Sequence, residues 1–166
     1  MGLNGAIIAS CLLGMGLSYY AYVVETSKEA DANYQPACDI SEHMSCSKAF
    51  MSEFGKGFGI VHRTLGKDSA LHVSNGLIGM FFYSVFAALS FTSSVVASRI
   101  QLFMAILSNF GSVYLAYVLY FILYDFCVIC VTTYIVNLVN LILVILKLRK
   151  VPSSTQKKTT SKKKKN

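Results

Sequence analysis

Residues 126–146, FCVICVTTYIVNLVNLILVIL, form an apolar run of 21 residues that contains no charged side chain. A helix of about 20 apolar residues crosses the hydrocarbon core of a bilayer. Windows of comparable length without charged residues also occur at 1–24, 69–98 and 100–124. We therefore predict an all-α membrane protein, a bundle of four transmembrane helices with spans at about residues 3–24, 75–91, 100–124 and 126–146.

The charged residues are concentrated in two segments outside these spans. Nine of the fifteen basic residues lie between Lys147 and Lys165, whereas seven of the eight acidic residues lie within residues 25–74. A basic segment beside a span marks the cytosolic side, and four spans return both termini to that side. We expect residues 1–148 to form one catalytic domain and 149–166 a disordered cytosolic tail, so the net charge of +7 reports topology rather than nucleic acid binding.

Residues 25–74 are expected to form a lumenal cap loop over the ends of the helices. Within it, residues 41–54 have helical character, and the glycines of residues 55–59 end that helix. The first window could also be a signal peptide, but it lacks the basic residues that precede the apolar core of such peptides, so we interpret it as a retained span. The lysines at the end of the chain fit a retrieval signal and indicate a multi-pass protein of the endoplasmic reticulum membrane.

Cys127 and Cys130 give the strongest chemical signal in the sequence. Their spacing places both thiols one helical turn apart on one face, at the start of the fourth span. Backbone amides at a helix N-terminus stabilise a thiolate, and Asp125 is a natural N-cap for this helix. Cys130 lies one turn deeper among apolar residues. Such a pair can close a disulfide or attack a substrate, although two buried cysteines can also simply pack.

Cys38 and Cys46 form a second pair in the same predicted compartment. Seven residues separate them, so they could close a small structural disulfide. With a CxxC pair facing the same side, thiol–disulfide exchange from the loop pair to the helix pair becomes the better interpretation. The four cysteines could instead hold a structural zinc ion. Cys11 in the first span has no partner by sequence, and His43, His62 and His72 lack metal-ligand spacing.

Several motifs occur together in a fixed order along the chain. Taken together they resemble the vitamin K epoxide reductase family over about residues 10–148, and the motifs are Ala37-Cys38-Asp39, Ser45-Cys46-Ser47, Gly57-Phe58-Gly59, Ser74-Asn75 and Tyr124-Asp125-Phe126-Cys127-Val128-Ile129-Cys130. The resemblance implies reduction of vitamin K epoxide to the quinone, and of the quinone to the hydroquinone, with no tightly bound cofactor or metal. It also implies lumenal thioredoxin-fold oxidoreductases as dithiol electron donors and coumarin-type compounds as inhibitors.

The resemblance also assigns roles to individual residues. Cys127 and Cys130 match the catalytic pair, and Cys38 and Cys46 match the loop pair that carries electrons to it. The deeper Cys130 engages the substrate, whereas Cys127 exchanges with Cys46. Residues expected to bind the substrate are Asn75, Tyr134, Phe50, Phe54, Phe82 and Tyr83. Phe54 stands where the family usually has tryptophan, and Ile78 where it often has phenylalanine, which leaves fine substrate preference open.

Two other functions remain compatible with the residues themselves. In the first, electrons flow the other way, and a quinone-linked thiol oxidase makes disulfides in lumenal partners. In the second, the chain is a non-enzymatic four-span scaffold whose cysteines are structural. Sequence alone does not set the direction of electron flow, because redox potentials cannot be read from it.

Overall fold

The computed structural model describes residues 2–41, 44–59, 73–92 and 94–163, with side chains described as far as Lys150. Within these residues the chain is helical and has no β-strand, which confirms the predicted all-α architecture. The long helices are α1 (Leu3–Ala30), α3 (Asn75–Ser90), α4 (Val95–Tyr117) and α5 (Val128–Lys163), and the short helix α2 (Cys46–Met51) lies in the cap. A 3₁₀ turn follows at Gly57–Gly59, and a π-helical turn, Val118–Ile122, extends α4.

Three helical segments are long and apolar enough to cross a membrane, namely Leu3–Ala30, Val95–Ile122 and Val128–Lys150. Helix α3 is also apolar but has 16 residues. At 1.5 Å per residue it measures about 24 Å, which is less than the ~30 Å of a typical hydrocarbon core. The chain is therefore a membrane protein with three full-length candidate spans, and a fourth span remains a proposal.

The outer surface of the bundle is apolar. Phe81, Phe103 and Phe110 are each more than 60% exposed, with values of 73%, 64% and 71%. Extended apolar patches of this kind are rare on soluble monomers but are the normal surface of a protein in lipid. The exposed side chains thus support the same conclusion as the length of the helices.

The helices pack through small residues on α1 and α3. Helix α1 contacts both α3 and α5, and α4 contacts α5 and α3. A Cβ atom added at Gly76 would lie 2.8 Å from the carbonyl oxygen of Ser18, and one added at Gly14 would overlap the ring of Tyr83. Larger residues at these positions would push α1 and α3 apart.

Two helix boundaries at the cap differ from the sequence expectation. Helix α1 continues to Ala30 rather than ending near residue 24, because Glu25 and Glu29 pair with Lys56 of the cap. In the cap, the helix expected over residues 41–54 is limited to α2. Ser45 begins α2 by accepting a hydrogen bond from the amide of Lys48, and Ser52 ends it in extended backbone.

Two further boundaries differ at the other end of the bundle. Helix α4 begins at Val95, so most of the connection expected at residues 92–99 is helical. The backbone of α5 is helical to Lys163, past the end expected at residue 146. The division into a domain of residues 1–148 and a separate tail stays a prediction. The three histidines and residues 164–166 lie outside the described residues.

Candidate functional site

A cavity of about 780 Å³ lies between the long helices, beneath the cap segment that contains α2. This volume is typical of a site for a small molecule. Most of its lining is apolar. Seven of the predicted site residues line it: Phe50, Phe54, Asn75, Phe82, Tyr83, Cys130 and Tyr134. The structure therefore brings together residues that are up to 84 positions apart in sequence, from Phe50 to Tyr134.

The first residues of α5 fix the geometry of the CxxC pair. Helix α5 begins at Val128, and the carbonyl of Cys127 accepts its first hydrogen bond, from the amide of Val131 at 3.0 Å. The amide of Cys130 donates to Sγ of Cys127 at 3.2 Å. Cys127 is therefore the N-cap residue of α5, and the helix N-terminus stabilises a thiolate at its sulfur.

This geometry corrects the prediction that Asp125 caps the helix. Asp125 precedes the cap position by two residues, and the residue before it, Tyr124, adopts a left-handed backbone with φ of 49°. Its carboxylate accepts hydrogen bonds from the amides of Phe126 at 2.8 Å and of Ser45 at 3.2 Å. The ammonium group of Lys48 lies 3.9 Å from the second carboxylate oxygen. Asp125 thus joins the start of α5 to the cap.

The two thiols of the CxxC pair face different surroundings. Cys130 lines the cavity, whereas Cys127 is fully buried and is not part of the cavity lining. Cys127 instead belongs to a packed cluster with Cys38, Cys46 and Leu119, and Cys130 packs against the edge of this cluster. Both are free thiols. The arrangement places one sulfur at the cavity and the other beside the loop pair.

Cys38 and Cys46 are joined by a disulfide, which confirms the pairing considered from the sequence. Asp39 lies next to this disulfide and accepts hydrogen bonds from the hydroxyl groups of Ser45 at 3.0 Å and Ser47 at 2.6 Å. Burial raises the pKa of the Asp39 carboxyl, but the hydrogen bonds from Ser47 and Ser45 outweigh this and hold the pKa below its usual value. The loop that carries the disulfide is therefore fixed by a charged hydrogen-bond acceptor.

Asn75 lines the cavity at the first turn of α3. The helix cap is the preceding Ser74, whose hydroxyl accepts from the amide of Gly76. The side chain of Asn75 accepts from the amide of Phe58 at 3.0 Å and donates to the carbonyl of Phe54 at 2.6 Å. A carboxamide has two N–H groups, and this contact with Phe54 uses one of them. Asn75 therefore holds the cap in place and keeps a second N–H that these two contacts do not use.

The cavity also contains polar residues that the sequence analysis did not select. Asn137 accepts a hydrogen bond from the hydroxyl of Tyr83 at 2.8 Å and donates to the hydroxyl of Ser112 at 2.9 Å. Asn137 follows Tyr134 by three positions, so both side chains lie on one helix face. An asparagine inside an apolar span is costly unless it has a partner or a function, and this signal could have identified it. Glu25, at the end of the first predicted span, also lines the cavity.

The alternative of a zinc site can be compared with the same geometry. Among the described residues, the group that could hold a metal ion consists of Cys38, Asp39 and Cys46. In this structure the two sulfurs of that group bind each other. A four-cysteine zinc site would therefore require the loop disulfide to be reduced first, since only thiolates ligate the ion.

Comparison with known proteins gives consistent matches. The profile of the Vitamin K epoxide reductase family matches residues 6–145. Vitamin K epoxide reductase complex subunit 1 of Mus musculus is 42% identical over 112 residues, which cover 68% of this chain and 70% of that protein. The protein of the same name from Rattus norvegicus is 40% identical over 112 residues, with the same coverage. The range matched by the family profile contains both cysteine pairs and every cavity-lining residue predicted above.

Proposed function

The chain belongs to the vitamin K epoxide reductase family and is an oxidoreductase that acts on vitamin K, and on that premise we propose which reactions it performs. It reduces vitamin K epoxide to the quinone, and the quinone to the hydroquinone, by thiol–disulfide exchange. The observation that carries this proposal is that the two thiols of the CxxC pair face different surroundings. Cys130 lines a cavity of suitable size, whereas Cys127 lies against the loop disulfide.

The two thiols supply two electrons and two protons in each step. The Cys130 thiolate attacks the bound ring, and the Cys127 thiolate then attacks the Cys130 sulfur. This second attack forms the Cys127–Cys130 disulfide and releases the reduced ring. With the epoxide the products are the quinone and one water molecule; with the quinone the product is the hydroquinone. The hydrogen bond from the Cys130 amide stabilises the Cys127 thiolate that makes the second attack.

The polar groups of the cavity hold the substrate oxygens in this proposal. Tyr134 follows Cys130 by four positions, so its phenol projects from the same helix face and can donate to an oxygen that gains negative charge. The second N–H of Asn75 donates to the other oxygen. The walls consist of aromatic rings, namely Phe50, Phe54, Phe82 and Tyr83. Coumarin-type inhibitors, which are also flat and carry oxygens, occupy the same cavity.

Electrons return to the CxxC pair through the loop cysteines. A Cys46 thiolate attacks Cys127 and displaces the Cys130 thiolate, and Cys38 then attacks Cys46, which regenerates both helix thiols. A lumenal thioredoxin-fold oxidoreductase reduces the resulting Cys38–Cys46 disulfide. In the structure the loop cysteines form a disulfide, and the helix cysteines beside it are free thiols.

We place the protein in the endoplasmic reticulum membrane with four spans, the fourth being the short helix α3. The cap, the start of α3 and the start of α5 lie at one end of the bundle, as their hydrogen bonds show. This end faces the lumen, where disulfides persist. Both termini and the basic tail are then cytosolic. Helix α3 can serve as the fourth span because its lumenal end is covered by the cap, and local thinning of the bilayer accommodates a shorter helix.

The direct test uses the purified full chain in detergent with vitamin K epoxide and a small dithiol reductant. Chromatography of the quinone and hydroquinone reports turnover. Cys130→Ala is expected to lose turnover, because no thiol then faces the cavity. Cys11→Ala is the matched control, since Cys11 is a buried cysteine of α1 outside the cavity lining. Equal turnover by the two variants would contradict the proposal.

A further inference from the structure

Ser45 is a junction between the loop disulfide and the start of α5. Its hydroxyl donates to Asp39, which follows Cys38, and its backbone amide donates to Asp125, which lies two residues before Cys127. Ser45 is itself the residue before Cys46 and the N-cap of α2. Two carboxylates therefore hold one serine between the two cysteine pairs.

Asp125 is placed at this junction by a specific backbone conformation. The side chain of Asp125 is 1% exposed. The preceding Tyr124 is held at φ of 49°, a conformation that a tyrosine rarely adopts and that persists only when its surroundings enforce it. The amide of Asp125 also donates to the carbonyl of Leu119 in the π-helical turn. Contacts on both sides thus fix this carboxylate, which faces the cap rather than the cavity.

The sulfurs of Cys46 and Cys127 belong to the same packed cluster and are both fully buried. For exchange, the Cys46 sulfur must approach the Cys127 sulfur in line with the Cys127–Cys130 bond that breaks. Small displacements of the attacking sulfur slow such steps strongly. Of the described side chains at the start of α5, Asp125 is the one that hydrogen-bonds to the backbone of the cap next to Cys46. We therefore expect the relative position of Cys46 and Cys127 to depend on the hydrogen bond from Ser45 to Asp125.

We propose that Asp125 is a positioning residue that docks α2 onto the start of α5 and thereby sets the approach of Cys46 to Cys127; the proposal rests on the function proposed above. The step that Asp125 serves is a thiol–disulfide exchange, in which one sulfur–sulfur bond forms as another breaks. The Cys46 thiolate attacks the Cys127 sulfur of the Cys127–Cys130 disulfide, the bond to Cys130 breaks, and Cys130 leaves as a thiolate. Cys38 then displaces Cys127, so two electrons pass from the loop dithiol to the helix pair.

The first test measures formation of the Cys46–Cys127 mixed disulfide without any quinone. In the full chain carrying Cys38→Ala and Cys130→Ala, the mild thiol oxidant diamide links Cys46 to Cys127. Peptide mass spectrometry reports the linked fraction with time. Adding Asp125→Ala is expected to slow linking by about tenfold. Asp125→Asn should recover part of the rate, because its amide oxygen can still accept from Ser45. Asp31→Ala is the matched control, since Asp31 is an exposed aspartate at the end of α1.

The second test compares two electron donors in the chain with all its cysteines. Turnover of Asp125→Ala should fall about tenfold more with a protein dithiol, which must pass electrons through Cys46, than with a small dithiol that reduces Cys127–Cys130 directly. Equal linking rates for Asp125→Ala and Asp31→Ala, or equal losses with both donors, would overturn the docking role. Lack of turnover by the wild-type chain with either donor would instead refute the proposed function, while the linking assay would still test the docking.

Discussion

At the end of the bundle that carries the cap, polar side chains that are buried or half-buried hydrogen-bond to the backbone of the cap. Asp125 accepts from the amide of Ser45, and Asn75 contacts the backbones of Phe54 and Phe58. At the opposite end, buried polar side chains hydrogen-bond to other helices. Lys147 of α5 donates to the side chain of Gln101 at 3.0 Å, and Gln101 of α4 donates to the hydroxyl of Ser90 at 2.7 Å.

The difference indicates distinct tasks for the two ends. Links between helices fix the bundle, because neither partner can leave without exposing a polar group to lipid. Links from helices to the cap hold the segment that carries the Cys38–Cys46 disulfide, which takes part in the proposed electron relay. We therefore expect substitutions at the cap end to affect electron transfer, and substitutions at the opposite end to affect stability.

The largest effect is expected for Cys38→Ala at the cap end. Without Cys38, the mixed disulfide between Cys46 and Cys127 cannot be resolved, so turnover with a protein dithiol should fall to background. The loss with a small dithiol should be far smaller, because that reductant reaches the helix pair directly. Gln101→Ala, at the opposite end, is the control and should not change the ratio of the two rates. Similar losses of Cys38→Ala with both donors would contradict the relay.

Tyr134→Phe should have the next largest effect. It removes the donor expected to stabilise charge on the substrate oxygen, and kcat should fall about 100-fold with a much smaller change in KM. Initial rates over a range of epoxide concentrations measure both. Tyr120→Phe is the matched control, because Tyr120 is 72% exposed and is not part of the cavity lining. An unchanged kcat would remove Tyr134 from the chemistry.

The main features of the fold could be predicted from apolar runs. The second predicted span, residues 75–91, agrees closely with α3, Asn75–Ser90. The end of α1 could not be predicted from the apolar run, which stops before Glu25, because the pairing of Glu25 and Glu29 with Lys56 joins segments that are distant in sequence. The sequence predicted four spans, whereas three helical segments of the described residues have full length, because α3 is apolar but short. Pairing between segments distant in sequence decides such details.

In the candidate site, too, relations between neighbouring residues could be predicted from the sequence, whereas details of the folded backbone could not. Cys130 and Tyr134 share a helix face because they are four positions apart, and that relation is visible in the sequence. That Cys127 rather than Asp125 is the N-cap is not visible in the sequence, because aspartate is the commoner cap and the start of the helix is seen only in its hydrogen bonds. The family resemblance inferred from ordered motifs was confirmed by the matches to known relatives. The residue roles that it implies remain predictions for the experiments described here.

Gln101→Leu should mark the opposite end as structural. It leaves Lys147 and Ser90 with one hydrogen-bond partner fewer, and the expected loss is about 1–3 kcal/mol of unfolding free energy. Turnover per folded molecule should be retained, since Gln101 is outside the cavity lining. Thermal unfolding in detergent, together with the activity of the folded fraction, measures the two effects. Ser84→Ala, whose hydroxyl is exposed on α3, is the control and should unfold like the wild type.

The smallest effect is expected for Asp39→Asn beside the loop disulfide. The variant keeps one acceptor oxygen but loses the charge that strengthens the hydrogen bonds from Ser45 and Ser47, at a cost of about 1 kcal/mol. Because the folded-state pKa of Asp39 is lowered, its stabilisation is fully present above the unfolded pKa of about 3.9 and is lost as the pH falls through the folded-state pKa. The unfolding temperatures of wild type and variant should therefore differ at pH 7 and converge in acid. A difference that persists unchanged in acid would show that shape rather than charge sets the contribution of Asp39.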